Sequence, residues 1–205
     1  MKGLLLKSWK NVLPMLAYYV FFFVVFFIVS AVNRDPLYFA AVSVAFAVAV
    51  PLAAMSRDET DGWDAFAVAA GVSRGKLAVS RYLFSLFCIV PAWLASVVLS
   101  FLAEDRLEAG ATVLLFMGAG LSAAAVLMPL CFRFGIEKSR VLLIVVLLLI
   151  FAAAFAVGVL LFGEDLGVSW NLPLFVLPCV VLGAGVLAVA ASLLIGIRIL
   201  QTKDL

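Results

Sequence analysis

The chain has 205 residues, of which 67% are hydrophobic and 13% charged, with a net charge of +2 and no histidine. A soluble fold of one-domain size cannot hide that much apolar surface, so the excess faces lipid and the expected class is an all-α membrane protein. Lack of histidine excludes HExxH zinc chemistry and Ser–His catalysis, so no enzyme activity is expected of the chain itself. Cys88, Cys131 and Cys179 stand in apolar runs without CxxC-like spacing, and read as small buried hydrophobes rather than disulfide partners. No metal, cofactor or nucleic-acid partner is expected in this chain.

In chain order, residues 1–11 come first. Leu5 and Trp9 share a helix face, ringed by Lys2, Lys7 and Lys10. Trp and Lys favour the headgroup region, so this stretch reads either as an interfacial helix or as the ordinary flank of a span. Six apolar runs follow, at 12–32, 36–55, 82–103, 109–132, 141–163 and 171–197. Each is long enough to cross a hydrocarbon core of about 30 Å, and in hydrocarbon only a helix satisfies the backbone within one segment. The expectation is one transmembrane domain, 1–205, with six spans. Pro14, Pro36 and Pro173 are placed at helix starts, and Pro91, with Pro51 and Pro129, at kinks inside spans. The first run is too long for a signal-peptide core, and Ser30-Ala31-Val32 imitates a cleavage site only faintly.

Orientation follows from Lys and Arg. With both termini in the cytoplasm, Lys2, Lys7, Lys10, Arg57, Arg74, Lys76, Arg81, Arg133, Lys138, Arg140, Arg198 and Lys203 fall inside, and only Arg34 and Arg106 fall outside. The acids divide evenly, as expected when only basic residues set topology. An odd number of spans would break this alternation.

The largest segment outside the membrane is the inner loop 56–81. Asp58, Glu59, Asp61 and Asp64 crowd its front, suiting a helix N-terminus, and Trp63, Phe66, Ala67 and Ala70 recur at one-face spacing. Gly71 is the expected stop and Ser73 the cap of the next helix, which carries Arg74 and Lys76 into the third span. The loop therefore predicts a short amphipathic helix over 58–70. It either lies on the lipid surface or docks a soluble partner; its acids favour docking, because they repel anionic lipid.

Within the six runs there is no Asp, Glu, Lys or Arg, which weighs against a proton-coupled carrier or voltage sensor. Ala184, Ala188, Ser192 and Gly196 recur every four residues along the last span, and Gly118 and Ser122 begin a shorter stripe in the fourth. Such stripes let helices approach closely, although in so alanine-rich a chain chance spacing is the rival reading.

Three stretches resemble the small ABC-2 type permease subunits of bacterial ABC exporters. The first holds Asp58-Glu59, Gly62-Trp63-Asp64, Ser73-Arg74 and Val79-Ser80-Arg81-Tyr82. The second, and most specific, is Pro129-Leu130-Cys131-Phe132-Arg133-Phe134-Gly135-Ile136-Glu137-Lys138-Ser139-Arg140. The third is the tail from Ser192 to Arg198 with Lys203-Asp204-Leu205. Gly71-Val72 departs from the pattern, since relatives often carry a proline before the Ser-Arg step. The resemblance implies a type V exporter-like fold in the bacterial inner membrane. It also implies pairing with a second permease copy or sister, and with two copies of a cytoplasmic ABC ATPase that binds the ATP and Mg. Asp58, Glu59, Trp63, Phe66, Ala70 and Arg74 would then dock the ATPase. Arg133, Gly135, Glu137, Lys138 and Arg140, in the loop 132–140, would make a second, smaller contact. The cargo implied is amphipathic or hydrophobic, such as a peptide or drug-like molecule. The competing reading is a non-transport membrane scaffold, assembly factor or sensor subunit.

Overall fold

In the computed structural model the described residues are 2–139, 141, 142, 144, 145 and 174–202, and all regular structure among them is helical. The elements are α1 (Lys2–Asn33), α2 (Leu37–Thr60), α3 (Trp63–Ala69), α4 (Arg74–Ser100), α5 (Arg106–Phe134) and α6 (Val176–Thr202). All but α3 are long and apolar enough to cross a membrane. The expected fifth span, 141–163, lies outside the described residues apart from positions 141, 142, 144 and 145, which are helical.

Several boundaries differ from the sequence reading. The stretch 1–11 is not a separate helix: α1 runs unbroken through Pro14, which sits inside it rather than at a start. The proline removes one backbone donor, but apolar surroundings give the chain no better alternative than to continue the helix. Likewise α2 does not stop at Met55 but runs on to Thr60, so Asp58 and Glu59 finish a span instead of opening the loop helix. Gly62, in the left-handed region at φ 62°, makes the break, and α3 starts only at Trp63. Gly71 ends α3 as expected. Its φ is 85°, its N–H donates to the Val68 carbonyl, and the Val72 N–H reaches back to the Ala67 carbonyl, a Schellman closure. Ser73 stands at the cap position of α4 in extended conformation, but its hydroxyl makes no capping bond. Pro173 lies outside the described residues. Cys179, expected to be buried, is exposed on α6, while Cys88 is half-buried and Cys131 buried.

At one end of the bundle, the α1–α2 and α4–α5 turns lie side by side, with exposed Arg34 and Glu104 3.9 Å apart. Asp105 caps α5 there by accepting from the Leu107 and Glu108 N–H groups. The opposite end collects Lys7, the α2–α3 turn, Gly135 and the last turn of α6. Arg74 donates to the Gln201 carbonyl at 2.8 Å there, placing a cation on the carbonyl end of that helix.

Helices α5 and α6 run parallel and pack closely, because glycine removes the side chain where they meet. A Cβ on Gly118 would come 2.7 Å from the Val181–Leu182 backbone, and one on Gly185 would come 2.7 Å from the Gly118 carbonyl. Further along, the Tyr82 hydroxyl lies 2.6 Å from Ser192 Oγ, which itself donates to the Ala125 carbonyl, so α4, α5 and α6 share one buried polar joint. Next to it Gly196 makes room for the Phe132 ring. The observed seam is therefore Gly185, Ser192 and Gly196. Of the expected stripe, Ser192 and Gly196 face inward, Ala188 is half-buried and Ala184 is exposed. A strict four-residue spacing drifts around a helix of 3.6 residues per turn, so positions 184 and 192 cannot hold the same line as well as 185 and 192. Beyond the seam a core of Leu52, Met55, Tyr82, Leu127, Met128, Phe132, Ile136 and Leu200 joins α2, α4, α5 and α6 beneath the end that carries α3.

Candidate functional site: an ionic cluster beneath a short surface helix

The short helix α3 lies against the ends of α2 and α4. Ala67 is buried on its inner side, while Phe66 is 63% exposed and Ala65, Ala69 and Ala70 are exposed beside it. The one face expected from Trp63, Phe66, Ala67 and Ala70 is thus divided: Ala67 points in, and Phe66 and Ala70 point out. Trp63 is half-buried. Its ring lies 5.4 Å from that of Phe66, with Lys7 Nζ 4.5 Å from its centroid.

Below α3 sits a cluster of two acids and two bases drawn from four helices. Asp58, on the last turns of α2, is only 4% exposed. Its Oδ1 pairs with Lys7 Nζ and accepts from Asn11 Nδ2 at 2.7 Å, both on α1. Its Oδ2 accepts from Arg81 on α4 at 3.2 Å. The same Arg81 nitrogen donates to Asp64 Oδ1 on α3 at 2.5 Å. Arg81 is itself 7% exposed, and its guanidinium lies 5.6 Å from the Phe132 ring of α5. Burying charges is tolerable only when each is paired and hydrogen-bonded, and here the four formal charges cancel. Residues 58 and 81 lie just beyond the apolar runs at 36–55 and 82–103, and so read as loop charges from sequence. The signal that they pair is their opposite sign at the facing ends of two consecutive spans.

Glu59 does a different job. Its Oε2 accepts from the Ile136 N–H at 2.7 Å, at the start of the helical turn 136–139. Gly135 precedes that turn at φ 81°, and a Cβ there would meet Glu59 Oε1 at 2.5 Å. The acidic pair of the first motif and the glycine of the second are therefore in contact. Arg133, Glu137 and Lys138 are exposed around this turn, with the Arg133 guanidinium 5.4 Å from the Phe134 ring. Arg140 lies outside the described residues. Arg74 is directed to the end of α6 rather than toward α3. A cavity of about 200 Å³ lined by Asp58, Glu59, Asp64, Arg81, Phe132 and Gly135 runs beneath α3.

This convergence of the chain's motifs at one end of a helical bundle has a counterpart in family comparison. The profile described as "ABC-2 family transporter protein" matches residues 3–201. The chain belongs to that family. It is a multi-pass membrane protein, and the family places it as the membrane component of a transport system. No curated protein and no solved structure matches it. For this ABC-2 chain the residues brought together are Asp58, Glu59, Trp63, Phe66, Gly135 and their neighbours. Arg74 and the outer half of the small-residue stripe lie apart.

Proposed function

We propose that this ABC-2 chain is the permease subunit of an ATP-driven exporter, and that α3 with the turn 135–139 is its seat for a cytoplasmic ABC ATPase. The supporting observation is Phe66, a large apolar side chain standing 63% exposed on a helix whose other outward residues are alanines. Exposed apolar side chains within the spans are explained by lipid. Phe66 lies beyond them, on the short helix that follows the acidic stretch Asp58, Glu59 and Asp61, where lipid contact is less favourable and a protein groove is the natural cover. The Glu59–Ile136 bond joins the two candidate contacts into one surface.

In this reading both termini and α3 are cytoplasmic, six helices cross the membrane, and two permeases pair with two ATPase subunits that hold the ATP and Mg. Asp58 acts inside the chain, not at the partner surface. Ala70, Arg133, Glu137, Lys138 and Arg140 belong to the contact rim, and Arg74 fastens α4 to α6. The cargo is amphipathic or hydrophobic. A groove of about 320 Å³ between α1, α2 and α4, walled by Val12, Tyr19, Phe23, Phe46, Phe87 and Pro91, supports an apolar path.

Buried aromatic anchors dominate such interfaces, so Phe66→Ala should weaken ATPase capture by about 2 kcal/mol, roughly thirtyfold. The measurement is titrated co-purification of the detergent-solubilised permease with a co-expressed ABC ATPase, with ATP turnover followed. Capture that is unchanged by Phe66→Ala would contradict the seat, and a scaffold needing no ATPase would show no capture in the wild type.

A further inference from the structure

We infer that Arg81 is a positioning residue that ties α3 to α4, and that Lys7 and Asn11 keep Asp58 paired when Arg81 follows α3. The inference rests on the reading of α3 as the ATPase seat and adds the route by which its movement reaches a span.

Among the described residues α3 fully buries one side chain, Ala67, and half-buries Trp63, so apolar packing holds it weakly. Its hydrogen-bonded link to the bundle is the Asp64–Arg81 bond, at 2.5 Å against 3.2 Å for Asp58–Arg81, beside the weaker contact of Lys7 with the Trp63 ring. Arg81 stands on α4 one residue before Tyr82, whose hydroxyl reaches Ser192 on α6. A displacement of Asp64 is thus passed to α4 and, through the adjacent joint, toward α6.

Were Arg81 the sole partner of Asp58, moving it away would leave a buried carboxylate bare, which would oppose the move. The arrangement removes that obstacle. Lys7 and Asn11, both from α1, already engage the other oxygen of Asp58, so one base remains when Arg81 departs with Asp64. The cavity lined by Asp58, Asp64 and Arg81 leaves these side chains room to shift.

The test uses the full chain with its ATPase in liposomes. Cys88, Cys131 and Cys179 are replaced, and a single reporter, Leu102→Cys, is placed just past α4 at the far end of the bundle. Labelling by a water-soluble maleimide is timed with and without ATP plus vanadate. The parent should show a nucleotide-dependent rate, Asp64→Asn should lose that dependence while still capturing the ATPase, and Asp64→Glu should recover it. A full nucleotide response in Asp64→Asn, or none in the parent, would overturn the inference. Loss of ATPase capture by Asp64→Asn would also overturn it, by reducing Asp64 to a support of the docking helix. A parent that captures no ATPase would instead refute the docking reading, and this inference with it.

Discussion

A carboxylate with 4% of its surface exposed must be neutral or fully partnered, and Asp58 is partnered by Lys7, Asn11 and Arg81. Removing one member of such a group usually costs about 3–5 kcal/mol, because the bases it leaves behind remain buried. For Asp58→Ala the expected loss is near the lower bound, about 3 kcal/mol, since Arg81 keeps Asp64. Equilibrium unfolding in detergent micelles measures it, and an unaltered midpoint would contradict the pairing. Glu59 is exposed and bonds to one backbone N–H, so Glu59→Ala should leave the midpoint nearly unchanged. It should instead speed amide exchange at Ile136, which loses its acceptor. The acidic pair was visible in the sequence, but its division of labour was not. Adjacent residues on a helix point about 100° apart, so Asp58 faces the bundle and Glu59 the neighbouring turn.

At the level of elements, five of the six apolar runs fall on helices long and apolar enough to span, because hydrocarbon forces a helix on any such segment. Helix ends were less legible. Nothing in composition separates the last turns of α2 from the start of a loop helix, and the decision falls to Gly62 and its left-handed backbone. Gly71, by contrast, announced its role correctly, since a glycine after a short amphipathic run has few other uses. Of the small-residue stripe on α6, Ser192 and Gly196 face inward and Ala184 outward, and alanine is too common to show which line of residues faces α5. Two glycines on α6 test the observed phase. At Gly185 a Cβ would meet the Gly118 carbonyl at 2.7 Å and the Leu121 Cβ at 3.0 Å, whereas at Gly183 nothing lies within 4 Å. Gly185→Ala should therefore destabilise the protein by about 1–3 kcal/mol through overpacking. Gly183→Ala should be neutral or slightly stabilising, as expected for glycine replaced in a helix. Equal effects in the same unfolding assay would place the α5–α6 seam elsewhere.

For the whole molecule, α5 and α6 begin at one end of the bundle and finish at the other, with Gly110 near Phe175 and Ile136 near Leu200. Among the described residues the basic side chains other than Arg34 and Arg106 lie toward the finishing end, which in the proposed reading faces the cytoplasm. In the proposed reading the surface helix of this end, α3, is a handle for an ATPase rather than an anchor on lipid. The most direct test is a photo-crosslinking amino acid placed at Phe66 in living cells, with the adduct identified by mass spectrometry. The account predicts an adduct with an ABC ATPase carrying the Walker A sequence GxxxxGK[ST]. Adducts with phospholipid alone would contradict it.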